Sequence, residues 1–299
     1  MSQLNIFLYG ASGQLGQALC SRLTVFPRRY GVYPTRSSFT GATEQALSHI
    51  LPSVILNAAA FTDVTRAENE PVLAMEVNRD GVAGLAELAK QHNALLVHFS
   101  TDYVFDGEGD RPWRESDKPA PLNVYGRSKW AGEQAIIASG CRHLIIRTSW
   151  LHSPWRDNFL KAILHQGISC DELQVVCDQV GAPTSALMLA EVTLQAIERA
   201  LAEPELEGLY HVAASGEVSW FDYARFIFAE AQKMGLELKV SEIKPVPSCA
   251  YPTAARRPLN SRLDTTRFRT TFGCELPHWR EGVEETLSEL LKENNICKR

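Results

Sequence analysis

Apolar runs of strand length alternate along this chain with segments whose apolar residues recur every three to four positions. The period-two and buried-run pattern predicts strands at Ile6 to Tyr9, Gly31 to Pro34, Val54 to Asn57, Leu95 to Phe99 and Leu144 to Arg147. Between them, helical spacing predicts helices at Gln14 to Leu23, Glu44 to Ile50, Val72 to Gln91 and Val124 to Ile137. Strands that alternate with helices need crossover connections, so the sheet is expected to be mostly parallel, with ligands beyond the carboxyl ends of its strands. Asn57-Ala58-Ala59-Ala60 and Ser100-Thr101 fall at two such ends.

The first strand runs directly into Gly10-Ala11-Ser12-Gly13-Gln14-Leu15-Gly16. Strand, glycine turn and helix in that order suit a dinucleotide, because glycines let the backbone approach a pyrophosphate that rests on the helix N-terminus. The competing reading is a glycine-rich surface turn, which this position disfavours. The fold class that follows is α/β: a Rossmann-type doubly wound parallel sheet with a smaller, discontinuous α/β substrate domain. After Arg147 the rhythm loosens. Trp150 to Asn158 reads as a loop, Phe159 to His165 as a helix, and Ala186 to Leu201 as a return to the first lobe. A helical stretch from Ser219, a loop-rich stretch around Pro245 to Pro258 and a helix from Trp279 to Leu291 complete the chain. The expected division is 1–150 as an NAD(P)-binding domain, with 184–215 returning to it, and 151–183 plus 216–299 as a substrate domain.

The chemistry concentrates in Tyr125-Gly126-Arg127-Ser128-Lys129, a short way downstream of Ser100-Thr101-Asp102. Residues four apart share a helix face, and an ammonium beside a phenol favours phenolate. Lys129 is therefore expected to lower the Tyr125 pKa toward neutrality, leaving a phenol able to protonate a carbonyl oxygen as hydride reaches the carbon. Alone, the Tyr-x-x-x-Lys spacing is common on exposed helices; the glycine turn upstream gives it meaning.

Composition narrows the alternatives. A chain of 299 residues with 45% hydrophobic and 22% charged content matches an ordinary globular enzyme. A net charge of −5 without a basic run argues against nucleic acid as a partner. The seven Cys are scattered without Cys-x-x-Cys, so neither a disulfide framework nor a zinc site is indicated, and no metal is expected. His49, His92, His98 and His165 lack partners at metal-ligand spacing and are assigned core or surface roles. The short apolar N-terminal run lacks a basic leader, and no segment reaches the length of a membrane span, so a cytoplasmic location away from membranes is expected.

Taken together, several blocks resemble the extended short-chain dehydrogenase/reductase superfamily and, within it, the dTDP-4-dehydrorhamnose reductase family. They are Gly10 to Gly16, Asn57 to Ala60, Ser100-Thr-Asp-Tyr-Val-Phe-Asp-Gly107 and Pro121 to Lys129, then Arg147-Thr-Ser-Trp150, Asp178 to Thr184 and Arg257 to Asp264. The resemblance implies hydride transfer from NAD(P)H to C4 of a dTDP-4-dehydro-6-deoxysugar, giving dTDP-L-rhamnose. It makes Tyr125 the proton donor, Lys129 the holder of the nicotinamide ribose, and Thr101 a hydroxyl on the substrate carbonyl oxygen; a turn-capping Thr is the plainer role for that residue. Cofactor binding is implied for Gly10, Ser12, Gly13, Gln14, Leu15, Gly16, Ala58, Ala59 and Ala60. Substrate contacts are implied for Asp102, Trp150, Asn158 and Arg257. A core role competes for Trp150, and Arg256 competes with Arg257. Asn78 matches an Asn that orders a water beside the active-site Lys in the superfamily.

Two departures matter. Where many members end the second strand with an acid for the adenosine ribose, this chain reads Thr35-Arg36-Ser37-Ser38. A guanidinium there pairs with a 2′-phosphate, so NADPH is expected to be preferred over NADH, with Arg36 as the discriminating residue. Where some relatives place a glutamate for a magnesium-bridged dimer, this chain has Gln17-Ala18, leaving monomer and homodimer both open. Two other functions remain: another nucleotide-sugar reductase or epimerase on this scaffold, and a regulatory subunit that binds NADP without turnover.

Overall fold

The computed structural model describes residues 3–25, 28–35, 50–250 and 253–292. Six strands form one parallel sheet: β1 (Leu4–Tyr9), β2 (Tyr30–Thr35), β3 (Val54–Asn57), β4 (Leu95–Thr101), β5 (His143–Thr148) and β6 (Gly208–His211). Their order is β6-β5-β4-β3-β1-β2, and every neighbouring pair is parallel. The chain leaves β1 toward one edge and returns to the other side of it at β3, so the switch point of this sheet lies between β1 and β3. All seven residues of β4 are buried, as a central strand covered on both faces requires.

Each face carries a core. One packs Ile6, Leu8, Leu19, Leu56, Val97 and Ile146 against the helix Gln14–Thr24 and the helix Ala186–Ala202. The other packs Phe7, Ile55, Leu96 and Ile145 against Val82, Leu85 and Ala89 of the helix Gly81–Gln91 and Ile136 of the helix Val124–Ser139. The last of these starts at Asn123, whose Oδ1 accepts from the Gly126 N–H at 2.8 Å, and stops at Gly140 with φ of 69°.

A separate core gathers Leu160, Ile163, Leu164, Tyr223, Ile227, Trp279, Val283 and Leu287. It is built from the helices Phe159–Ser169, Trp220–Lys233 and Trp279–Lys292 and a parallel pair of strands, Glu172–Val176 with Glu242–Val246.

The predicted helix Val72 to Gln91 is interrupted. Pro71–Met75 is α-helical, Glu76–Asp80 widens into a π-turn, and Gly81–Gln91 resumes the α-helix. Asn78 sits in the wide turn, and its backbone carbonyl backs onto Gly132, where any side chain would collide with it. The predicted helix Glu44 to Ile50 falls, except for Ile50, outside the described residues, as does Arg36.

Candidate active site

At the carboxyl end of β1 the backbone turns with φ of 74° at Gly10, a conformation that favours glycine. A Cβ on Gly10 would lie 2.5 Å from the Ala59 nitrogen, and one on Gly16 would overlap the Gly10 carbonyl. The Gly13 N–H closes the turn onto the Gly10 carbonyl at 3.0 Å, and Gly13 caps the following helix with no side chain over its first N–H groups. Those donors are left open for an anion. Ser12 is exposed beside them, whereas the Leu15 side chain is buried in the core, leaving only its backbone to face a ligand. Ala58, Ala59 and Ala60 follow β3 half-buried, with the Ala58 N–H on the Tyr9 carbonyl. Ser100 Oγ and Thr148 Oγ1, at the ends of β4 and β5, are buried without a hydrogen-bond partner among the described residues. A glycine cradle that any side chain would fill, beside unsatisfied hydroxyls, fits a dinucleotide.

Thr101, Tyr125 and Lys129 converge beside this cradle. Thr101 ends β4, its Oγ1 accepting from the Tyr103 N–H and lying 3.2 Å from Asp102 Oδ1. The turn-capping contact is thus made by this hydroxyl. The Tyr125 hydroxyl comes near enough to Thr101 for the two to interact, and the Tyr103 ring meets the Tyr125 ring edge-on at 5.6 Å. Lys129 is buried, its Nζ donating to the Phe99 carbonyl at 2.6 Å and lying 3.2 Å from His98 Nε2.

The electrostatics correct one expectation. Burial pushes the Tyr125 hydroxyl well above the usual phenol range; Asp102 and Tyr103 add to this, and the bond from Thr101 opposes it. The Lys129 Nζ is engaged instead with the Phe99 carbonyl and His98 of β4. Burial brings Lys129 itself down to about 8, opposed by Glu133. Asp102, nearly inaccessible, is raised to about 7 by burial, with hydrogen bonds from Ser261 and Thr101 opposing.

The remaining candidates are placed unevenly. Arg257, not the exposed Arg256, acts on the Tyr103 hydroxyl and so lies toward the site. Trp150, with φ of 49°, stacks face to face on Trp220 at 3.5 Å and packs one edge against Gly181, so one indole face is committed to the fold. Asn158 has both polar groups engaged: Oδ1 caps Lys161, and Nδ2 donates to Gln14 Oε1 and the Ser153 carbonyl. Asn78 bonds both backbone groups of Phe61 and the Ser128 hydroxyl.

Three features lay outside the sequence reading. Gln14 Oε1 accepts from both Ser153 and Asn158 at 3.0 Å, tying the glycine turn to the loop before the helix Phe159–Ser169. Glu133, one turn beyond Lys129, holds Arg147 of β5 in a buried bidentate pair. His98, assigned above a core or surface role, is buried with its Nε2 3.2 Å from Lys129 Nζ. The signal for it was present: a His inside Leu95-Leu-Val-His-Phe needs polar partners when the strand is buried.

A Thr–Tyr–Lys cluster beside a glycine cradle, at the switch point of a parallel sheet, defines a reductase of the extended short-chain dehydrogenase/reductase class. A family model described as the RmlD substrate binding domain matches residues 4–292. The dTDP-4-dehydrorhamnose reductase of Escherichia coli (strain K12) is 44% identical over 293 residues, covering 96% of this chain and 98% of that protein. Among solved structures, the dTDP-4-dehydrorhamnose reductase of Bacillus anthracis str. Ames, in complex with NADP, superposes with a TM-score of 0.88 at 34% identity, over 96% of this chain and 99% of its own. The Clostridium acetobutylicum dTDP-4-dehydrorhamnose reductase gives 0.89 at 33% identity, over 96% and 100%. The chain belongs to the dTDP-4-dehydrorhamnose reductase family.

Proposed function

We propose that this chain reduces dTDP-4-dehydro-6-deoxy-L-mannose (dTDP-4-dehydro-β-L-rhamnose) at C4, giving dTDP-L-rhamnose, with NADPH as the preferred cofactor and NADH accepted. The observation that carries the reading is the convergence of Thr101, Tyr125 and Lys129 beside the glycine cradle, in a chain that a dTDP-4-dehydrorhamnose reductase matches over 96% of its length. The NADP bound by the Bacillus anthracis relative supports the cofactor. Gly10, Ser12, Gly13, Gln14, Leu15, Gly16 and Ala58 to Ala60 hold it through backbone donors and close approach, and bound there it supplies the hydride.

The chain's own groups handle the oxygen. Thr101 and Tyr125 aim hydroxyls at the substrate O4, where negative charge develops as the carbonyl becomes an alcohol. Tyr125 gives up its proton to that oxygen, and the raised pKa keeps it a phenol at neutral pH, the form an acid must start from. Lys129 would hold the nicotinamide ribose. Arg257 suits the diphosphate through a charge-assisted fork, Trp150 offers its free face to the deoxysugar, and Asp102 and Asn158 border that pocket. The division into 1–150 with 184–215, and 151–183 with 216–299, gives cofactor and substrate a lobe each.

A cytoplasmic location suits a sugar-nucleotide substrate, and no helix among the described residues is long and apolar enough to cross a membrane. The test follows nicotinamide absorbance with dTDP-, UDP- and GDP-linked 4-ketosugars in parallel. Turnover is expected with the dTDP sugar; turnover confined to another nucleotide would overturn the substrate, and none with any would favour a regulatory subunit.

A further inference from the structure

Four hydrogen bonds run in series behind the site. The Ala59 N–H lies 3.2 Å from Asn57 Oδ1, Asn57 Nδ2 lies 3.0 Å from His98 Nδ1, His98 Nε2 lies 3.2 Å from Lys129 Nζ, and Lys129 Nζ lies 2.6 Å from the Phe99 carbonyl. A backbone N–H can only donate, so the Asn57 atom facing Ala59 must be the oxygen. The other end of that amide is then NH₂, which donates to His98 Nδ1. With Nδ1 accepting, a neutral imidazole carries its proton on Nε2, pointing at Lys129. An ammonium has no lone pair to receive it, whereas an amine has one and still donates to Phe99.

We infer that Asn57 and His98 are positioning residues for the reaction: by fixing which ring nitrogen of His98 carries the proton, they hold Lys129 as the neutral amine in the cofactor-free enzyme. The inference rests on the function proposed above only for the use made of Lys129. The hydrogen-bond chain is a property of the free protein.

The surroundings agree. His98 is completely buried, and burial pushes it far below the usual imidazole range, so a charged ring is not the way out. Burial draws Lys129 down as well, and the fixed tautomer acts in the same direction. The opposing group is Glu133 on the same helix, whose two carboxylate oxygens are already engaged by Arg147. Tyr125, one turn earlier, is held as a neutral phenol.

Charging Lys129 takes one proton from solvent and needs the chain to reverse. The Asn57 amide turns over, its oxygen accepts from His98 Nδ1–H, and bare Nε2 accepts from the ammonium. That reversal frees the Ala59 N–H, which lies in the Ala58 to Ala60 segment proposed to meet the cofactor. A cofactor acceptor on Ala59 would compensate it, coupling cofactor binding to the charge that grips the ribose.

The test is long-range proton–nitrogen NMR of protein labelled in its imidazole rings, with His98 assigned by comparison with His98→Gln. In the free wild type, His98 is expected to be neutral with a bare Nδ1 and a protonated Nε2 above pH about 8, where Lys129 is the amine. Protonated Nδ1, or a charged ring, would overturn the inference. In Asn57→Asp one carboxylate oxygen serves Ala59 and the other accepts from His98 Nδ1–H, so the tautomer should invert. The alkaline limb of kcat/KM should then rise by at least about one pH unit, tenfold in proton concentration. An unchanged tautomer and an unchanged limb in that variant would overturn the inference too. The wild-type spectrum decides the matter if the variant fails to fold, and it does so whether or not the dTDP-ketosugar is the substrate.

Discussion

Tyr125 holds its proton more tightly than a free tyrosine, which for a reduction is the useful direction. An acid that had already lost its proton could not complete the alcohol. Tyr125→Phe keeps the packing on Tyr103 but removes the donor, and should lower kcat by about 10²–10⁴-fold with NADPH affinity nearly unchanged. Pre-steady-state and binding titrations check this; wild-type kcat in the variant would remove Tyr125 from the proton transfer. Asp102 gives a pH prediction of its own. Its carboxyl is raised to about 7 in the folded state, above its ordinary unfolded value. What it contributes to stability is therefore complete in acid and is lost as pH rises through about 7. Asp102→Asn, neutral throughout, should raise Tm over wild type at pH 8 and lose that advantage as pH falls below about 4, at about 2–4 °C per kcal/mol for a chain of this size. A Tm difference that ignores pH would show a carboxyl charged throughout. At this scale the sequence named Thr101, Tyr125 and Lys129 but misjudged how Lys129 acts. Spacing puts Tyr125 and Lys129 on one helix face, yet cannot say that Phe99 and His98, on another strand, receive the lysine's Nζ.

The helix Val124–Ser139 carries both proton-handling groups, so its seat on the sheet decides their positions. Glu133 and Arg147 form that seat: two bonds of 2.9 and 2.6 Å, both side chains buried, with the guanidinium also over the Phe105 ring at 5.1 Å. Glu133→Gln leaves Arg147 charged without its counter-ion, and breaking such a buried pair costs about 3–5 kcal/mol. Urea melts should show that loss. A loss below about 1 kcal/mol would mean that Phe105 and His211 satisfy Arg147 unaided. Five strands and the main helices were legible because long buried runs and helical periods are set by burial itself. The π-turn at Glu76–Asp80 was not, because its cause is Asn78 meeting Phe61 and Gly132 from distant segments. Gly208–His211 was not read as a strand either. Four residues opening on glycine carry too little pattern, and only the open edge beside β5 makes them one.

Across the whole molecule, the glycine turn and the helix Phe159–Ser169 belong to different cores yet share Gln14, Ser153 and Asn158. Cofactor and sugar nucleotide would therefore be gripped by parts that already touch, which suits a reaction needing both at one carbon. The resemblance implies ligand contacts for Gln14 and Asn158, and says nothing of their bonding each other across some 140 residues of chain. Arg36, on which the NADPH preference rests in the sequence, lies outside the described residues. The central claim, hydride delivery to C4 of a dTDP-ketosugar with a proton from Tyr125, is tested most directly by labelling. The enzyme is incubated with NADPH carrying deuterium at the nicotinamide C4 and with dTDP-4-dehydrorhamnose, and the product is read by NMR. The account predicts dTDP-L-rhamnose with one deuterium at sugar C4 from wild type and next to none from Tyr125→Phe in the same time. Unlabelled product, label at another carbon, or equal labelling by the variant would contradict it.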